Sequence, residues 1–155
     1  MRKLLFIIAV ILVFVAYFSK EEVSHGSHHS SRTGAQAVAY ARAQLGKPYL
    51  WATQGPDAFD CSGLTYRAWK LPSSQRTSEQ QWNAQQHVSR PRTGDLVYFH
   101  GVLIGNEVPP GHVGIVIGEN KMIDGYGRGT VIRIESFGKA SSAPGLQAVM
   151  GYTRP

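Results

Sequence analysis

The chain changes texture at Pro91, and this constrains its fold more than any single residue does. Ahead of Pro91 the apolar residues recur at helical spacing; beyond it they fall in short alternating runs separated by Gly, Pro and Asn. Three helices are expected. The first covers residues 35–45, with Ala35, Val38, Ala39 and Leu45 on its inner stripe and Arg42 at the rim, and Gly46 and Pro48 end it. The second begins near Cys61 and stops before Pro72. The third begins at Thr77, where Thr77-Ser78-Glu79-Gln80 has the form of a capping box leading into Trp82. Strands are expected at 95–99, 112–117, 121–125, 131–135 and 148–152. Helices first and strands second imply an α+β domain with an antiparallel sheet.

A length of 155 residues allows one ordinary domain, of about 100–150 residues, and a small extra segment. The extra segment is N-terminal. Arg2 and Lys3 precede an uncharged apolar run, residues 4–18, that would span roughly 22 Å as a helix, short of a hydrocarbon core of about 30 Å. That length suits a signal peptide, but Tyr17, Phe18 and Lys20 crowd the place where a small-residue cleavage site belongs. Residues 1–19 therefore read as a signal-anchor or signal peptide, with Arg2 and Lys3 on the cytoplasmic side. Residues 20–33, rich in Ser, His and Gly, read as a flexible linker, and His25, His28 and His29 as solvated members of it. The folded domain is then 34–155, extracytoplasmic, either anchored to the cell membrane or secreted. The net charge of +6 is scattered, without a basic run or an aromatic-interleaved stripe, so no nucleic-acid partner is expected. Such a charge suits an anionic surface, whether lipid headgroups or cell wall.

Cys61 is the single cysteine, which excludes an internal disulfide and a thiolate-rich zinc site. A free cysteine is often a small buried hydrophobe. Here Asp60, Ser62 and Gly63 are small or polar and a helix follows, which puts the sulfur at a helix N-terminus, where unpaired N–H groups and the dipole favour a thiolate. A thiol nucleophile needs a base, and the base needs an orienting partner. His112 opens a strand in which Val113, Ile115 and Ile117 share one face and His112, Gly114 and Val116 the other. A hairpin centred on Gly118 pairs position 112 with 124 and brings Asp124 beside His112. The carboxylate would fix one imidazole tautomer and stabilise its charged form. Rival bases are His87, at an expected helix end, and His100, beside a Gly-containing loop; both rank below His112.

Four segments carry a resemblance: Gly46-Lys47-Pro48-Tyr49-Leu50-Trp51; Gly55-Pro56-Asp57-Ala58-Phe59-Asp60-Cys61-Ser62-Gly63-Leu64; Gly94-Asp95-Leu96-Val97-Tyr98-Phe99; and His112-Val113-Gly114-Ile115-Val116. In order and spacing the chain resembles the NlpC family of bacterial cell-wall cysteine peptidases over nearly the whole of 34–155. The resemblance implies a papain-like α+β fold and hydrolysis of peptidoglycan stem peptides, commonly between D-glutamate and a diamino acid. It implies Cys61 as nucleophile, His112 as base and Asp124 as the third polar group. Tyr49 would be an oxyanion donor together with the Cys61 N–H, and Asp60 and Ser62 would be substrate-binding groups beside the cleft. Arg76 matches a family arginine whose role is either structural or wall-facing. No metal or organic cofactor is implied, and a monomer is expected. The chain departs from the family pattern in having Ala52-Thr53 where two glycines usually follow the tryptophan, and Asp124 where histidine is commoner. The connection 101–111, with Pro109-Pro110, is long enough to form a rim over the site. Alternatives that keep the same residues are an amidase or acyltransferase on another amide or lipid substrate, a non-catalytic wall-binding module, and a zinc site on Cys61, His112 and Asp124.

Overall fold

In the computed structural model, which describes residues 32–100, 110–143, 145–146 and 148–155, helix α1 spans Gly34–Arg42. It opens on a capping box: Gln36 N donates to Thr33 Oγ1 at 3.3 Å and Thr33 N to Gln36 Oε1 at 2.9 Å. Arg32 donates to the carbonyls of Arg67 and Ala68, at 2.9 and 3.0 Å, and its guanidinium lies 4.5 Å over the Tyr40 ring. Arg32 and Thr33, expected in the linker, are thus tied into the folded unit, because helix ends need partners for their orphan N–H and C=O groups. The apolar segment 4–18, the histidines of the linker and residues 101–109 of the rim connection lie outside the described residues. Among the described residues no helix is long and apolar enough to cross a membrane.

The inner face of α1 is Ala37, Val38 and Ala41; Ala35 and Ala39 are exposed, as is Leu45. Of the expected stripe, Val38 is on the inner face, whereas Ala35, Ala39 and Leu45 are not. An alanine-rich segment carries little periodic contrast, and packing against Leu64 and Ala68 of α2 selects the face with two small residues. Helix α2, Cys61–Trp69, is capped by Asp60 and closes at Lys70 in the left-handed region. Helix α3, Ser78–Ala84, has the expected Thr77–Gln80 capping box.

Among the described residues six strands form one antiparallel sheet in the order β1-β6-β2-β3-β4-β5. They are β1 Gln86–Val88, β2 Leu96–Phe99, β3 His112–Gly118, β4 Lys121–Asp124, β5 Arg133–Ser136 and β6 Val149–Arg154. All five expected strands are present with ends shifted by a residue or two; β1 was not foreseen. His87 lies on it, opposite Thr153, rather than at a helix end. The chain leaves α3 at Gln85, whose Oε1 accepts from Thr153 Oγ1 at 2.6 Å, a tertiary bond that local sequence does not announce.

Both sheet faces are covered. Leu96, Tyr98, Val113, Ile115 and Ile123 pack with α1 and α2, whereas Val97, Phe99, Val116 and Met122 pack with Phe137 and Leu146. This is why β2 is buried at every position instead of alternating. The result is the α+β, papain-like arrangement: a helix with Cys61 at its start, packed on an antiparallel sheet.

Candidate active site

Cys61 is the first residue of α2 and is almost fully buried. The turn before it is held by a polar cluster. Asp60 accepts from Gly63 N at 2.5 Å and takes the fork of Arg76, Nη1 to Oδ1 at 3.1 Å and Nη2 to Oδ2 at 2.7 Å. Arg76 also donates to Ser62 Oγ at 3.0 Å and Thr53 O at 3.1 Å, and Gln81 Nε2 donates to Ser62 O at 3.1 Å. Gly63 is required by space: a Cβ there would stand 2.1 Å from Thr53 O. Asp60 and Ser62, expected to bind substrate, do not line the cavity beside Cys61; their side chains are buried in this cluster. Arg76 is an internal group of the same cluster, which fits the structural of its two readings.

His112 is the first residue of β3, and its Nε2–H donates to Asp124 Oδ2 at 2.7 Å. The register that brings them together differs from the expected one. Ile115 pairs with Ile123 and Val116 with Met122, so Gly114 rather than His112 comes opposite Asp124. The hairpin turns at Glu119-Asn120, with an irregularity at Gly118, not symmetrically about Gly118. Because the difference is two positions, Asp124 stays on the same face and reaches His112 diagonally. Gly114 leaves the room: a Cβ there would lie 3.3 Å from Asp124 Cβ and 2.5 Å from Met122 Sδ.

Burial alone would lower the His112 pKa, but hydrogen bonds to Asp124 and to Cys61, with the negative charge of both, carry it up to about 10. With Nε2 committed to Asp124, Nδ1 is the ring nitrogen left for a second partner. Asp124 Oδ1 is buried and has no hydrogen-bond partner among the described residues. The imidazole is also packed by two rings, Tyr126 edge-on at 4.8 Å and Phe99 at 5.7 Å. Among the described residues no group of three or more His, Cys, Asp or Glu is arranged to hold a metal ion.

Cys61 and His112 open onto a cavity of about 540 Å³, also lined by Tyr49, Trp51, Tyr126 and Arg128. Tyr49 is brought there because its segment is held on two sides: Tyr49 N donates to Thr130 O at 2.9 Å, and Phe59 N donates to Pro48 O at 3.1 Å. Burial, with the charges of Cys61 and Asp60, pushes the Tyr49 phenol up to about 12, so it stays a hydrogen-bond donor at neutral pH. Beside it Ala52 has φ 62°, a left-handed conformation at the first position where the family usually has glycine. Of the rival bases, His100 lines the cavity, while His87 is occupied with Trp82, Nε2 to O at 3.0 Å. Sequence reasoning passed over Tyr126 and Arg128. Their signal was the glycine-punctuated stretch Gly125-Tyr126-Gly127-Arg128-Gly129 directly after Asp124.

The profile of the NlpC/P60 family matches residues 46–149, which include Tyr49, Cys61, His112 and Asp124. The chain belongs to that family. It is 37% identical over 110 residues to the probable endopeptidase p60 of Listeria grayi, covering 68% of this chain and 20% of that protein. It is 33% identical over 119 residues to the probable endopeptidase YafL of Escherichia coli, covering 70% of this chain and 45% of that one. Among solved structures, the NlpC/p60 domain of the peptidoglycan hydrolase SagA superposes with a TM-score of 0.57 at 28% identity, covering 68% of this chain and 90% of that domain. The chain thus spans less than half the length of these two NlpC/P60 relatives but most of the SagA domain.

Proposed function

We propose that this NlpC/P60 domain is a cysteine peptidase that hydrolyses peptidoglycan stem peptides, at the bond between D-glutamate and a diamino acid. The reading rests on one arrangement: a helix-start cysteine and a histidine held by a buried aspartate line the same open cavity. The endopeptidase and peptidoglycan-hydrolase names of its relatives support the choice of substrate.

Cys61 Sγ, as thiolate, attacks the scissile carbonyl carbon while His112 is imidazolium. The oxyanion lies between the Tyr49 hydroxyl and the N–H of Cys61, an amide that has no intrahelical acceptor. His112 passes its proton to the departing amine, the C–N bond breaks, and a thioester remains on Cys61. Water, deprotonated by His112, then attacks the thioester and releases the carboxylic acid, and the proton returns the pair to imidazolium and thiolate. Asp124 keeps the imidazole oriented and balances its charge throughout. In this reading the apolar stretch 4–18 holds the domain at the outer face of the cell membrane.

The test is muropeptide mass spectrometry after digestion of purified peptidoglycan with the protein and with Cys61→Ala. Fragments split after D-glutamate, absent with Cys61→Ala, are expected. Products cut at another amide would move the bond and favour the amidase alternative. Identical digests from the two proteins would remove Cys61 as nucleophile.

A further inference from the structure

Among the described residues that line the cavity, one carries a permanent charge. Arg128 is the only lysine or arginine lining it among the described residues, and no aspartate or glutamate lines it. The acidic groups nearest the chemistry are already committed, Asp124 to His112 and Asp60 to Arg76. None of the ion pairs among the described residues includes Arg128. An exposed arginine is usually no more than a solvated surface group, but here the backbone beneath it is pinned. Gly127 and Gly129, at φ 87° and 77°, let the chain turn sharply on either side of Arg128. Thr130 Oγ1 donates back to the carbonyls of Tyr126 and Gly127, at 3.0 and 2.8 Å, while Thr130 O accepts from Tyr49 N. The loop carrying Arg128 is therefore tied to the segment carrying Tyr49, and the guanidinium is close enough to favour the ionised Tyr49 phenol against the effect of burial.

We propose that Arg128 is the anion-recognition residue of this cleft, pairing with a free carboxylate on the substrate next to the scissile amide. The identity of the anion rests on the peptidase reading above; its sign rests on the charge of the cleft alone. A guanidinium presents a planar fork of donors that matches a carboxylate bidentately. Phe99 and Leu146, both buried, give the same cavity an apolar wall, while Arg128 itself stands exposed at its rim. The corresponding carboxamide fills the same volume but offers no charge. The cleft should therefore discriminate between free and amidated forms of the same peptide.

Two measurements separate this inference from the peptidase reading. The first alkylates Cys61 with iodoacetate and with iodoacetamide, which differ chiefly in charge, in the wild type, Arg128→Gln and Arg128→Lys at low salt. The ratio of iodoacetate to iodoacetamide rates should fall about 3- to 10-fold in Arg128→Gln and be largely retained in Arg128→Lys. The second compares stem peptides carrying a carboxylate or a carboxamide beside the scissile bond. The wild-type preference for the carboxylate, read as a kcat/KM ratio, should collapse in Arg128→Gln through KM. An alkylation ratio unchanged by Arg128→Gln overturns the anion site even if peptides are cut. A collapsed ratio with no peptide cleaved by the wild type keeps the anion site and removes the peptidase reading.

Discussion

His112 is a buried imidazole whose neighbours outweigh its burial. Loss of solvent disfavours the charged ring, yet Asp124 and Cys61 hold its pKa near 10, above the ordinary histidine value of about 6.5. A pKa raised on folding stabilises the fold fully below the unfolded value, and this contribution is lost as pH rises from about 6.5 through about 10. Asp124→Asn removes the charge that sustains the imidazolium. The alkaline limb of kcat/KM should move to lower pH, and activity should fall on the order of 10²–10⁴-fold. A pH–rate profile checks this; an alkaline limb that stays in place would remove Asp124 as the orienting group. Ala52 offers a stability test at the same scale. A left-handed backbone costs a non-glycine residue about 1–2 kcal/mol, partly offset in glycine by its unfolded-state entropy. Ala52→Gly should raise the unfolding free energy by about 0.5–1 kcal/mol in urea titration, and a destabilised variant would contradict that account.

Helix α2 is where one local element determines the chemistry. Its start is defined by Asp60 as N-cap, and Arg76, from the turn ahead of α3, grips both oxygens of that carboxylate. Arg76→Met would leave Asp60 buried without its cation. The expected loss is about 2–3 kcal/mol, below the 3–5 of a fully enclosed pair because Arg76 keeps some water access. The same change should slow Cys61 alkylation by iodoacetamide even under conditions where the protein remains folded, because the helix start that presents the sulfur loosens. Denaturant unfolding and alkylation rates measured together check both effects; a full loss of stability at unchanged alkylation would make Arg76 a fold residue only. The hairpin β3–β4 shows a different tolerance. Its register lies two positions from the symmetric one, and the His112–Asp124 bond survives because side chains repeat every two residues along a strand.

Across the whole molecule, the scattered basic charge has a consequence that no single residue carries. At net +6 and a sequence pI near 9.7, association with anionic wall polymer should weaken as salt rises from about 0.05 to 0.5 M and the screening length shrinks to a few ångströms. Co-sedimentation of Cys61→Ala with purified peptidoglycan across that range checks it, and retention unaffected by salt would assign binding to apolar contacts instead. The sequence by itself determined the α+β class, the order of the elements other than β1, the helix start at Cys61 and the strand start at His112. These follow from local periodicity, caps and turn residues, which act over a few positions. Tertiary structure decided the rest. It turned α1 onto its small-residue face, drew Gln86–Val88 into the sheet edge and shifted the hairpin register. It also buried Asp60 and Ser62 in internal bonds and set Arg128 at the cleft. Each of those outcomes depends on contacts between residues far apart in the chain, where packing and hydrogen-bond satisfaction outweigh local preference.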